Sequence, residues 1–186
     1  MMHLRTLQHG LVIALLCLTT LAGSPLASAQ SPPGKVLVLD FGLLDGTMLP
    51  RVPDELARTA TLGPLLRQKL TGFGIEVIPW QSPPAQIAQI ESGYLTAHPD
   101  ELARLGREQG AAWVAVGQQN KFSFLISWLN VQLVDVDSGQ IVARAESALR
   151  GSMTDQRMSS RTMDSLALQV NDMLRELAGR KPRRSD

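Results

Sequence analysis

Apolar residues follow two rhythms along this chain. Val36-Leu37-Val38-Leu39, with Phe41 two places on, is a short continuous apolar run, the pattern of a strand buried on both faces. Ile75 to Trp80 and Ala111 to Gly117 read the same way and supply a second and a third strand. Between the first two, Leu56, Leu62, Leu65, Leu66 and Leu70 recur at helical spacing behind Asp54, which caps a helix running to about Leu70. Gly63-Pro64 falls inside it and is expected to kink or restart it, because proline removes a backbone donor. Ala85 to Ser92 reads as a short helix anchored by Ile87 and Ile90. A further helix opens at His98-Pro99-Asp100-Glu101 and runs to Gln109, with Gly110 as its stop.

The longest two-faced pattern runs from Lys121 to Gly151. It reads as a strand to Val136, a turn at Asp137-Ser138-Gly139 and a returning strand. A three-residue loop wants a left-handed residue at its third position, where glycine costs least. The turn then sets the register: Val136 faces Gln140, Leu133 faces Ala143, Val131 faces Ala145 and Leu129 faces Ser147. Gln132 with Arg144 and Asn130 with Glu146 fall on the opposite, polar face. Fully extended, Lys121 to Val136 would measure roughly 50 Å, so this strand must bend, bulge or protrude. Its first part is expected to pair with the third strand across a turn at Gln119-Asn120. A last helix spans about Asp155 to Ala178, with Met163, Leu166, Val170, Met173, Leu174 and Leu177 along one face. The order β-α-β-α-α-β-β-β-α predicts an α/β fold of two or three layers.

The first 29 residues carry a different pattern. Arg5, the apolar stretch Leu11 to Leu18 and Ala27-Ser28-Ala29 before Gln30 form a cleavable signal peptide, too short to span a bilayer. The expected organisation is therefore signal peptide 1–29, linker 30–34, a single α/β domain 35–179 and a basic flexible tail 180–186. The expected location is the periplasm, with no stable membrane anchor. Cys17, the single cysteine, leaves with the signal, as do His3 and His9, so no thiol, disulfide or zinc site is expected. Loss of Arg5 leaves 17 basic side chains against 17 acidic ones. That balance argues against nucleic acid as a partner.

VLVLDF near the start, GAAWVAVG in the middle, VQLVDVDSGQIV and the closing Arg150-Gly151 resemble a family of small secreted proteobacterial proteins of unknown function. The element order is also similar to the amino-terminal domain of the Tol system's propeller protein and to curli-secretion type periplasmic domains. The resemblance implies a three-layer sandwich like the anticodon-binding domain. Its sheet would be five-stranded and mixed, in the order 2-1-3-4-5, with strand 4 antiparallel and helices on both faces. It transfers no catalytic residue.

Candidate chemistry is sparse. Asp135-x-Asp137-x-Gly139 with Glu146 has calcium-loop spacing, but a strand through Glu146 would carry that carboxylate far from the turn, so the hairpin reading prevails. His98 belongs to a helix start. No nucleophile elbow and no glycine-rich phosphate loop is present. In the 2-1-3-4-5 order the crossovers diverge between strands 1 and 3, beyond the strands' carboxyl ends. Asp40, Gly42 and Asp45 would flank that crevice on one side and Gly117, Gln118 and Gln119 on the other. Asp40, Asp45, Gln118 and Gln119 are the candidate ligand-binding set, suited to a cation or a polyhydroxy or amino compound. Trp113, Phe124, Ile126 and Trp128 would share one face about the Gln119-Asn120 turn and are the candidate interface. No catalytic residue, resident metal or cofactor is expected. The sequence reads best as a non-enzymatic protein-interaction or assembly domain whose partner is another periplasmic protein, its oligomeric state left open. A small-molecule or metal-ion binding protein is the competing class.

Overall fold

The computed structural model describes residues 33–47, 53–81, 93–123, 125–150 and 156–180. Along them run β1 (Val36–Asp45), α1 (Pro53–Gly72), β2 (Val77–Ile78), α2 (Pro99–Glu108), β3 (Trp113–Lys121), β4 (Ile126–Asp135), β5 (Gln140–Arg150) and α3 (Gln156–Arg180). The strands form one sheet in the order β2-β1-β3-β4-β5. β1 is parallel to β2 and β3, whereas β4 is antiparallel to both β3 and β5. This is the mixed sheet that the resemblance implied.

Strand alternation divides the core into two layers. Val36, Val38, Trp113, Ala115, Leu129, Val131 and Leu133 point to one face, where Leu62, Leu66 and Leu70 of α1 and Met163, Leu166, Val170 and Leu174 of α3 cover them. Leu37, Leu39, Val114, Val116 and Val134 point to the other, against Leu102 and Ala103 of α2. On the first face α1 and α3 are tied by an ion pair between Lys69 and Asp164. Three layers result.

α1 runs unbroken through Pro64, so the expected restart is not present. Gly63 instead serves a close approach: a β-carbon there would stand 2.6 Å from Asp40 Oδ1 and 3.0 Å from Asp40 Cα. β2 is reduced to two residues, bounded by Gly74 at φ 78° and by Pro79, which has no amide to donate. The expected helix at 85–92 lies outside the described residues.

Two bulges set which face each strand end presents. β1 carries one extra residue between Val38 and Phe41 relative to β3: Val38 pairs with Ala115, and Phe41 with Gly117. Phe41 therefore joins the same layer as Val36 and Val38, its ring lying where a Gly117 β-carbon would stand. From there the alternation brings Asp45 to that face, opposite Lys121. β5 carries the second bulge, at Val142.

The hairpin pairs Leu133–Ala143, Val131–Ala145, Leu129–Ser147, Gln132–Arg144 and Asn130–Glu146 are as the sequence predicts. Nearer the turn the bulge shifts the register, so Gln140 faces Asp135 rather than Val136. The turn thus has four residues, 136–139, closed by Gly139 N–H to Asp135 O at 2.8 Å with Gly139 at φ 68°. The long strand is also divided. Gln119 and Asn120 are not a turn but lie inside β3, which runs on to Lys121. The chain reverses between Lys121 and Ile126, where Ser123 Oγ accepts hydrogen bonds from the Leu125 and Ile126 amides.

Candidate functional site

The carboxyl ends of β1 and β3 hold a buried polar cluster beneath the first turns of α1. Glu55, Thr59, Leu62, Leu66 and Leu70 form one helical stripe on α1, so the two polar residues extend its apolar face toward the strand ends. Lys121 closes β3 with its side chain wholly buried. Its Nζ lies 3.2 Å from Asp45 Oδ2 and 2.7 and 2.8 Å from the two oxygens of Glu55. Thr47 adds its amide and hydroxyl to Asp45 Oδ1 at 2.9 and 2.6 Å. One turn further along, Thr59 Oγ1 lies 3.0 Å from Gln119 Oε1, and Gln119 Nε2 reaches Ser127 Oγ at 3.3 Å.

The electrostatics follow from burial and pairing. Burial pushes the Asp45 carboxyl up, but the hydrogen bonds from Thr47 and Lys121 outweigh it and hold the group below the usual carboxylate range. Burial likewise pushes the Lys121 ammonium down, and the bonds to Glu55 and Asp45 raise it above the usual lysine value. The cluster is therefore a locked ion triad. A charged lysine without access to solvent cannot act as a nucleophile or base, so the arrangement clamps β1, β3 and α1 together.

The expected ligand-binding residues are divided by this geometry. Asp40 accepts from Arg67 Nη2 at 3.0 Å, and the same guanidinium reaches Val38 O at 2.9 Å. Asp45 is held by Lys121 and Thr47, and Gln119 by Thr59 and Ser127. Gln118 points to the opposite face of the sheet, the one that α2 packs against, half-buried between Gly42 and Asn130. Gly42 and Leu43 are paired directly with Gln118 and Gln119, so β1 and β3 are zipped together where a crevice was expected. Among the described residues no group of three or more His, Cys, Asp or Glu side chains could hold a metal ion.

The expected interface set is divided as well. Trp113 is a core residue under α1 and α3. Ile126 and Trp128 lie on the opposite face of the sheet, and Phe124 falls outside the described residues. The apolar neighbours that Ile126 and Trp128 do have come from elsewhere. Leu44 sits in the row Leu44–Asn120–Trp128 across β1, β3 and β4. Leu44 is 56% exposed, Phe122 64%, Leu125 61% and Ile126 45%. Phe122 N–H bonds Ile126 O at 3.1 Å, so these side chains crown two adjacent strand ends.

Sequence reasoning missed Lys121, Glu55, Thr59 and Ser127. Lys121 and Gln119 continue the inward series Trp113, Ala115, Gly117, a legible alternation once β3 is allowed to run past Gly117. His98 stacks on Tyr94 with ring centroids 3.8 Å apart and bonds Tyr94 O, a helix-start contact. Asp135 accepts from Asp137 N–H and Ser138 Oγ, and Glu146 lies well along β5, so the calcium-like spacing is hairpin chemistry. No helix among the described residues is long and apolar enough to cross a membrane.

A family model, DUF3280, described as "Protein of unknown function (DUF2380)", matches residues 34–170. No curated protein matches the sequence. Among solved structures, the PelC dodecamer from Paraburkholderia phytofirmans is similar at 15% identity and TM-score 0.47, over 77% of this chain and 88% of that one. Lipoprotein GNA1162 from Neisseria meningitidis is similar at 14% identity and TM-score 0.44, over 78% and 97%. LpoB from E. coli is similar at 19% identity and TM-score 0.43, over 64% and 57%. These are similarities of chain path alone.

Proposed function

We propose that this chain, which belongs to the DUF3280 family of proteins of unknown function, is an exported, non-enzymatic interaction domain. It presents the ends of β1 and the β3–β4 turn to a partner protein of the cell envelope. The observation that carries this reading is the crown of Leu44, Phe122, Leu125 and Ile126, four large apolar side chains left in solvent on neighbouring strand ends. Single exposed leucines are ordinary, whereas four large apolar side chains exposed at one end of the sheet mark a contact surface. Directly behind it the Lys121–Asp45–Glu55 triad fixes both strand ends to α1, so the patch sits on a rigid base. The signal-peptide pattern of residues 1–29 supports export.

The competing reading places a small molecule or metal ion at Asp40, Asp45, Gln118 and Gln119. It would require Asp40 and Asp45 to leave Arg67 and Lys121, and it would still find Gln118 on the far side of the sheet.

Site-specific photo-crosslinking in the native cell tests the proposal. A photoreactive side chain at Phe122 or Leu125 is expected to yield a discrete adduct, and one at exposed Arg104 on α2 is not. Phe122→Asp should abolish the adduct formed from Leu125 while leaving the melting temperature in place. Absence of an adduct from both positions, or equal labelling from Arg104, would overturn the reading.

A further inference from the structure

β5 is an edge strand of 11 residues, while the opposite edge, β2, offers only two. The direction of its backbone groups can be read from one contact. Gln169 Nε2 of α3 donates to Glu146 O at 3.2 Å, so that carbonyl points away from β4. In a strand the N–H and C=O of one residue point to the same side, and alternate residues point oppositely. Arg144, Glu146 and Ala148 therefore present their backbone groups outward, while Ala145 and Ser147 bond to β4.

We propose that a second copy of this chain pairs along this edge, antiparallel, about a two-fold axis at Ala145. In that register Arg144 faces Glu146 of the second copy, and Glu146 faces its Arg144. Outward-facing residues thereby meet outward-facing residues and exchange both N–H···O bonds. The Arg144 and Glu146 side chains are exposed on the same side of the sheet, so each end of the contact brings opposite charges together. Ala145 meets its own copy on the helix side, where a small side chain lets the strands approach.

Neighbouring registers lack this match. An axis at Arg144 or at Glu146 sets that charge against itself, and an axis at Ser147 sets Arg144 against Arg150. An axis at Ala143 leaves Arg144 facing Val142. The self-complementary sequence Arg-Ala-Glu thus selects one isologous pairing. The bulge at Val142 ends the ladder on one side, and the Gln169 contact is exchanged for a backbone bond from the second copy.

The pairing residues Arg144, Ala145 and Glu146 include none of the apolar crown. Sedimentation velocity on the exported protein, from micromolar to near-millimolar concentration, is expected to show a monomer–dimer equilibrium. Arg144→Glu and Glu146→Arg each turn both contacts into like-charge pairs and should weaken association by about tenfold or more. An equimolar mixture of the two variants should recover it, since each strand then meets its opposite. The double variant Arg144→Glu/Glu146→Arg should associate like wild type, and Phe122→Asp should leave the equilibrium unchanged. Circular dichroism confirms that every variant is folded. A wild-type chain that stays monomeric overturns the proposal. So do single variants that associate as wild type does, or a mixture that fails to recover.

Discussion

Lys121 Nζ stands 2.7 Å from Glu55 Oε1 at a point where neither side chain reaches solvent. With Asp45 on its other flank, one cation serves two carboxylates. Removing the cation strands both, so Lys121→Ala should cost about 3–5 kcal/mol, read from denaturant unfolding. Lys121→Met combined with Glu55→Leu and Asp45→Asn removes all three charges together and should recover much of that loss. A triple variant no more stable than Lys121→Ala would show that the triad is more than a matched set of buried charges.

The same triad sets a pH dependence. Asp45 titrates below its ordinary value in the folded chain, so its contribution is present above about pH 3.9 and drains away as pH falls through the folded value. Lys121 titrates above its ordinary value, so its contribution is complete below about pH 10.4 and is lost only as pH rises through the folded value. Stability should be flat with respect to these two groups at neutral pH. Asp45→Asn should flatten the acid limb of the stability profile, measured by thermal melting across pH.

Gly63→Ala should destabilise by about 1–3 kcal/mol, because its β-carbon would meet the β1 backbone as well as a flexible side chain. Gly72→Ala, at the far end of the same helix with nothing within 4 Å, is the control. It should be neutral or should stabilise by up to about 1 kcal/mol. Equal effects at the two sites would mean that helix propensity, not contact with Asp40, governs Gly63.

At Gly139 space is not limiting, since the nearest atom to an added β-carbon is Ala103 Cβ at 3.9 Å. The backbone is limiting, at φ 68°. Gly139→Val should therefore cost on the order of 1–3 kcal/mol, and Gly139→Asn clearly less. A melting temperature unchanged by valine would place the turn elsewhere.

Trp113 and Trp128 separate core from surface. Trp113→Ala empties a site enclosed by two helices and should cost about 3–5 kcal/mol. Half-buried Trp128 on the opposite face should cost less, and chemical denaturation of the two variants compares them directly.

The sequence reveals elements through periodicity, and so the core strands, α1 and the five hairpin pairs from Leu129 to Leu133 were legible. What escaped it depends on contacts between distant residues. The bulge before Phe41 is fixed by Asp40 gripping Arg67 and by a phenyl ring seated over Gly117, neither of which leaves a local mark. The reversal between Lys121 and Ile126 is hidden in a strand-like string, with only Ser123 supplying turn chemistry. The candidate site suffered twice. Mistaking Gln119-Asn120 for a turn put Trp113 beside Trp128, and it detached Lys121 from the inward series to which it belongs.

The bulge in β1 has a consequence for how this chain can vary. Straightening the strand at constant length would send Phe41 and Asp45 to the α2 side and leave Lys121 and Glu55 facing a gap. Deleting one residue between Val38 and Phe41 would instead remove the bulge and keep both on the α1 side, still opposite Gly117 and Lys121. A one-residue deletion beyond Phe41 cannot keep Phe41 and Asp45 together on that side. Relatives that keep both residues in place can therefore be one residue shorter before Phe41 but not between Phe41 and Asp45.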